Sequence, residues 1–143
     1  PEAPYSVEIG RAAVVREGHD VTLVSLGVGV HHCLRAAKAL EEEGFSAEVV
    51  DLRSLVPLDR DTVRASVART GRLIVVDEDY HSYGVSGEII ASVAEHADCR
   101  LKAAPKRVAY PDIPIPFAPT MEQWALPNAD KVVAAFHQMM KES

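Results

Sequence analysis

A few residues in the 143-residue chain have the types and spacing to do chemistry. Gly27-Val28-Gly29 joins an apolar run to a helical pattern, a setting where free backbone N–H groups can hold a phosphate or carboxylate. Asp51, ending the next apolar run, could be the acid of a dinucleotide fingerprint, but the third glycine is missing. Gly27 and Gly29 therefore read first as a tight turn, and as a possible anion-binding turn second. His31 and His32 are adjacent, so on a helix they point about 100° apart and cannot chelate one metal together. His81 follows Asp77 and Glu78 in a loop, at the end of a strand where functional groups gather. It is a candidate for a loop near a substrate channel, but a general base also needs a positioned substrate and an orienting partner. Asp51 and Asp77 could frame magnesium only with an acidic pair after the first strand and a lysine after the last. Those early strands end in Arg16 and in Ser25-Leu26. No GxSxG elbow, Walker loop, HExxH or carboxylate pair is present. The expectation is a chain with no catalytic, cofactor-binding or metal-ligating set of its own.

The elements that must position these residues alternate between β-branched runs and helical patterns, the sign of an α/β domain with a largely parallel sheet covered on both faces. Strands are expected at 12–15, 21–26, 47–51, 73–77 and 106–109. Only Glu17, Gly18, His19 and Asp20 separate the first two. A parallel crossover takes about a dozen residues, so the first strand must run against the others. One helix is signalled by Val30, Cys33, Leu34, Ala37 and Leu40, closed by Gly44. A second starts at Asp59 as N-cap and ends with Arg69 before Gly71. A third, over 84–97, should bury Val85, Ile89, Val93 and Ala97. The last runs from Pro127 or Asn128 to about Lys141, with Val132, Val133, Phe136, Met139 and Met140 as its apolar stripe. The stretch PDIPIPFAP (111–119) must be extended, since proline fixes φ and biases its predecessor. It looks like a PxxP ligand, but Ile113, Ile115 and Phe117 are expected to pack it against the domain.

The length suits one domain, divided as a linker remnant over 1–8 and a domain over 9–143. The net charge of −6 speaks against nonspecific nucleic-acid binding, which needs a basic footprint, and leaves room for a basic protein partner. The longest apolar run is too short for the roughly 20 residues of a membrane span. Two cysteines, Cys33 and Cys99, without CxxC spacing suggest neither zinc nor a disulfide framework, so the cytoplasm is the expected compartment. With no initiator methionine or signal sequence, the chain reads as a fragment or processed piece.

The order of motifs adds a resemblance. IGRAAVVREGHDVTLVSLG (9–27), VHHCLRAAKALEEEGFSAEVVDLRSLVPLD (30–59), GRLIVVDE (71–78), GVSGEI (84–89) and PDIPIPFAPTMEQWALPNADKVVAA (111–135) follow one another as in one family. Taken together, they resemble the C-terminal transketolase-like domain in beta subunits of thiamine-diphosphate-dependent pyruvate, branched-chain 2-oxoacid and acetoin dehydrogenases. The resemblance implies a three-layer α/β/α sandwich with a five-stranded mixed sheet, one strand antiparallel. It implies that thiamine diphosphate and Mg bind outside this domain, on the preceding pyrimidine-binding domain and the alpha subunit. It implies alpha and beta subunits as partners in an oligomer, and a peripheral-subunit-binding domain of the acyltransferase as a basic partner. Glu122, Asp130 and Glu142 are the expected docking residues. The full enzyme would decarboxylate a 2-oxoacid and acylate lipoyl groups, in the cytoplasm or the mitochondrial matrix, with the isolated domain inactive. Tyr83 departs from the family pattern, where many members carry a glycine; Gly84 and Gly87 are expected to keep the helix entry close-packed. Two rival readings are a stand-alone small-molecule or anion-binding α/β module using the 27–29 turn, and the C-terminal domain of a transketolase or deoxyxylulose-phosphate synthase.

Overall fold

Near-continuous runs of valine and leucine make strands that can be buried on both faces, and three such runs form the middle of the sheet. In the computed structural model, which describes residues 4–142, the strands are β1 (Ala13–Arg16), β2 (Val21–Ser25), β3 (Ala47–Asp51), β4 (Leu73–Tyr80) and β5 (Lys106–Tyr110). They lie in the order β1-β3-β2-β4-β5, all parallel except β1. The linker expected over 1–8 is thus described only from Pro4, and Ser143 lies outside the described residues. Helices α1 (Val28–Glu42) and α5 (Ala129–Lys141) cover one face, α2 (Arg60–Thr70) and α3 (Val85–Ala94) the other. A short α4 (Pro119–Ala125) follows β5.

Alternate residues along each strand feed the two cores. Leu23, Val49, Ile74 and Val76 meet Cys33, Ala37, Leu40 and Phe136 of the α1/α5 layer. Val24, Val50 and Val75 meet Val63, Val67, Ile89 and Val93 of the α2/α3 layer. The expected sandwich is what forms.

The reversal required by the short first link is present, but β1 pairs with β3 rather than with its neighbour in sequence. The link therefore passes over the start of β3, with the N–H groups of His19 and Asp20 both donating to the Ser46 carbonyl at 3.1 and 2.8 Å. Gly18 lies at that crossing, and a Cβ there would be 2.3 Å from backbone atoms of Ala47 and Glu48. Gly18→Ala is expected to cost about 1–3 kcal/mol, because a packed backbone cannot step aside as a flexible side chain can. Chemical denaturation measures it, and an unchanged midpoint would remove this account of the crossing.

Asp59 is the N-cap of α2, as its position before the apolar repeat implies. Its Oδ1 accepts from the Thr62 N–H at 3.1 Å, and its Oδ2 accepts from the Thr62 hydroxyl at 2.8 Å and from the Ala12 N–H at 3.0 Å. Burial raises its carboxyl pKa, but these donors outweigh that and hold it below the usual value. One side chain thus caps a helix and ties down the residue before β1.

Four expectations need correction. Helix α3 stops at Ala94 and Ala97 is exposed; the His96 N–H turns back to the Val93 carbonyl, and Cys99 joins that end of the core instead. Ile113 is half-buried, but Ile115 and Phe117 stand in solvent, because no element among the described residues passes over them. Gly87 has open space where a Cβ would stand, so only Gly84, whose Cβ would meet the Tyr80 carbonyl at 2.3 Å, is held to glycine by packing. Helix α4 was not expected; Pro119 at N1, where its missing N–H costs nothing, and Glu122 in the first turn were the available signals.

Candidate functional site

Two surfaces gather the sequence-derived candidates: the carboxyl end of the parallel strands, and the outer edge of β5. At the carboxyl end, β2 runs into Gly27, whose φ of 55° L-residues rarely adopt, and α1 begins at Val28. Gly29 is explained by packing, because a Cβ there would lie 2.1 Å from the Ser25 Oγ. That hydroxyl donates to the Val76 carbonyl at 2.7 Å and joins β2 to β4. Across a cleft of about 300 Å³ the Gly27 turn faces Asp77, Glu78 and Asp79. An anion brought to the turn meets that negative set. Asp77 is buried, and its Oδ2 accepts from the Ser86 N–H at 3.1 Å, supplying the negative charge that the N-terminus of α3 favours.

His81 is exposed in the turn after β4 and is not among the residues lining this cleft. Its main chain is fixed: the N–H donates to the Tyr110 carbonyl at 2.7 Å, and its own carbonyl accepts from Arg107 at 2.7 Å. Ser82 donates to Asp112 through both hydroxyl and N–H, at 2.6 and 3.0 Å, and these bonds hold the Asp112 carboxyl below its usual pKa. Of the adjacent pair, His32 accepts from the Arg35 guanidinium at 2.6 Å, and burial and then that cation lower its pKa.

Tyr83, the departure from the family pattern, has φ of 63° and a fully exposed side chain. The backbone there has the left-handed shape glycine adopts without cost, and among the described residues the phenol is left wholly to solvent. Tyr83→Gly is expected to raise the melting temperature by a few degrees, read by calorimetry on this domain. A lower melting temperature would show that the ring is held by something other than solvent.

At the other surface, β5 is an edge strand, with a groove of about 420 Å³ beside it between α4 and α5. Val108, Pro111, Trp124 and Ala135 contribute apolar lining. Lys131, the third residue of α5, takes its own N–H to the Asn128 cap at 2.9 Å. Its ammonium donates to the carbonyls of Trp124, Ala125 and Leu126, the last two at 3.2 and 2.7 Å. Burial lowers its pKa, while the three acceptors satisfy the charged head. Lys131→Met should cost about 1–2 kcal/mol and loosen α4, visible as faster amide exchange over Pro119–Ala125. Unchanged exchange there would contradict the role given to the ammonium.

The three acidic docking candidates do not form one cluster. Glu122 and Asp130 are exposed in the first turns of α4 and α5, whereas Glu142 follows the far end of α5, about 18 Å along it. Glu142 is already engaged with Lys106 and Gln138, chiefly Lys106, which hold its carboxyl below the usual pKa. Sequence reasoning missed the exposed apolar strip next to Glu122: Ile115, Phe117, Met121 and Trp124, the last 67 % exposed. Exposed large apolar groups gathered in one stretch of chain are the mark of an interaction surface.

Residues 10–132 match the family model described as the transketolase, C-terminal domain. The chain belongs to the transketolase C-terminal domain family. As a transketolase C-terminal domain it is 46 % identical over 141 residues to the beta subunit of acetoin:2,6-dichlorophenolindophenol oxidoreductase of Cupriavidus necator, covering 99 % of this chain and 42 % of that protein. It is 43 % identical to the beta subunit of 2-oxoisovalerate dehydrogenase of Bacillus subtilis, over 97 % of this chain and 43 % of that one. It is 45 % identical to the mitochondrial pyruvate dehydrogenase E1 component subunit beta-1 of Arabidopsis thaliana, over 94 % and 37 %. Among solved structures, an inactive beta4 tetramer of a split-gene transketolase superposes with a TM-score of 0.84 at 31 % identity, over 96 % of this chain and 45 % of that one. This transketolase C-terminal domain thus spans about two fifths of the length of the curated relatives it matches. The resemblance drawn from the order of motifs is borne out.

Proposed function

We propose that the chain is the carboxyl-terminal assembly and docking domain of the beta subunit of a thiamine-diphosphate-dependent 2-oxoacid dehydrogenase. The observation that carries this reading is the run of Ile115, Phe117, Met121 and Trp124 in the segment that follows β5, left in water by a chain that closes both its cores elsewhere. The relatives support it, being beta subunits named for acetoin, 2-oxoisovalerate and pyruvate. In the complete enzyme the strip meets companion alpha and beta subunits, and the acids beside it, Glu122 and Asp130 with Glu142 further along, meet the basic peripheral-subunit-binding domain of the acyltransferase. The enzyme would decarboxylate a 2-oxoacid and acylate lipoyl groups. Thiamine diphosphate and its magnesium would sit outside this chain. Its diphosphate does not fit the glycine-containing helix entry here, because Asp77, Glu78 and Asp79 face that turn. No helix among the described residues is long and apolar enough to cross a membrane, and the cytoplasm or a mitochondrial matrix is the proposed compartment.

Two measurements test the reading. The 143-residue chain, given thiamine diphosphate, magnesium and a 2-oxoacid, should show no turnover, which should appear when the complete beta subunit is combined with the alpha subunit; turnover by the chain alone ends the proposal. Calorimetric titration of the complete enzyme with the peripheral-subunit-binding domain should give an affinity that falls as salt rises. Charge complementarity chiefly speeds association and selects the partner, and ions screen it. An affinity indifferent to salt would take the acidic residues out of the docking face.

A further inference from the structure

The large apolar side chains left in water are unevenly divided between the two ends of the sheet. At the carboxyl ends of the parallel strands the loops and the element ends they join carry Val28 at the start of α1, Leu55 and Val56 after β3, Tyr80 at the end of β4 and Tyr83 beyond it. Val56 is 92 % exposed and Tyr83 wholly so. The connections at the opposite end, 17–20, 43–46, 70–72 and 95–105, expose no large apolar side chain among the described residues. These loops also share a cleft, with Leu26, Leu55 and Val85 lining it beside the three acids of 77–79. Isolated exposed apolar residues are ordinary, but their gathering on one end of a sheet marks a surface that is covered in use.

The path of the chain indicates what covers it. Because β1 is antiparallel, its first residue, Ala13, pairs with Asp51 at the carboxyl end of β3. The stretch leading into β1 crosses that same end. The Ala12 N–H donates to Asp59, and Gly10 approaches Pro57 so closely that a Cβ would lie 2.6 Å from its Cγ. The polypeptide thus enters the fold next to Val56, and Tyr5, Val7 and Ile9 on the way in are exposed as well. The family is a C-terminal domain, and its relatives are more than twice as long as this chain, which covers 42 % of one and 43 % of another. We infer that the apolar carboxyl end of the sheet is the seat of the folded polypeptide that precedes Pro1, which presents apolar side chains there and basic groups opposite Glu78 and Asp79. The inference rests on the reading of this chain as the C-terminal part of a longer subunit. A second copy fits less well: two such ends face to face would oppose their acidic sets and trap both entering chains in the seam.

The test uses Val56→Cys, with Glu17→Cys at the exposed opposite end as control, each made in the 143-residue chain and in the complete beta subunit. Alkylation by a maleimide is timed in native buffer against the unsubstituted protein, whose Cys33 and Cys99 are buried. The Val56→Cys thiol should react at least tenfold more slowly in the complete subunit than in the short chain, at every protein concentration, while the Glu17→Cys thiol reacts alike in both. Equal rates for Val56→Cys would overturn the inference, and so would protection of the short chain that grows with its own concentration, the mark of a second copy. The same preparations are assayed with the alpha subunit for 2-oxoacid turnover. An active subunit with a freely reactive Val56→Cys thiol refutes the seat and leaves the functional reading standing; a protected thiol in a subunit without turnover supports the seat and counts against the function.

Discussion

Phe136→Ala should lower the stability of the domain by about 3–5 kcal/mol, the range for deleting a fully buried aromatic ring. Phe136 has no exposed surface, and its ring meets that of Phe45 edge to face with centroids 4.8 Å apart. It is the largest side chain that α5 contributes to the core shared with α1 and the sheet. Because Lys131 of α5 holds the end of α4, a loosened α5 also releases Trp124 and the groove beside β5. Docking should therefore weaken along with stability. Denaturant unfolding with a parallel binding titration checks both, and a variant within about 1 kcal/mol of the parent would mean that α5 is held by other contacts.

Arg69→Met should have the second largest effect, and one that depends on pH. Glu48 lies on β3 almost wholly buried, with Arg69 of α2 donating to its Oε1 at 2.5 Å and the Gly18 N–H directed at Oε2 from 3.4 Å. Burial alone would raise the Glu48 carboxyl, but the bonds from Arg69 and Ser66, with the charge of Arg69, outweigh it and hold the pKa below the usual carboxylate value. Stripping the cation leaves a buried carboxylate, a loss of about 3–5 kcal/mol for a fully buried pair. Here the guanidinium is half in water, and screening reduces the expected loss to about 2–3 kcal/mol at neutral pH. The sign with pH follows from linkage. A carboxyl whose folded pKa is depressed contributes stability above its unfolded value and loses it as pH falls through the folded value. In the parent, this contribution is complete above about pH 5 and is lost on acidification. In Arg69→Met, burial dominates and raises the Glu48 pKa, so lowering the pH toward 5 should narrow the gap between variant and parent. A gap constant between pH 5 and 8 would refute the pairing as the source of the effect.

Much of the fold was legible because local chemistry dictated it. Asp59 and Gly71 bound α2 as a cap and a left-handed stop, with Gly71 at φ 72°. The four residues between β1 and β2 compelled a reversal whatever the rest of the chain did. They could not say which edge β1 would take, since the crossing over β3 depends on Gly18 clearing a backbone 30 residues away in sequence. The misreading of Ile115 and Phe117 has a plain cause: an apolar residue in a sequence is marked for burial, but nothing in it says whether its own chain or another supplies the cover. Tyr83 shows the same limit from the other side, because its positive φ at a place where many members of the family keep glycine becomes visible only in the backbone. Trp124 lay between the proline segment expected to end at Pro119 and the last expected helix, and its place became visible only when Pro119 proved to open α4.

Sedimentation velocity of the complete beta subunit carrying Trp124→Glu, beside the unsubstituted protein, tests most directly whether this surface exists to be covered by companion chains. The unsubstituted subunit should sediment as an oligomer, and the variant as a slower species with an unaltered circular dichroism spectrum. A folded variant that assembles as fully as its parent would contradict the assignment.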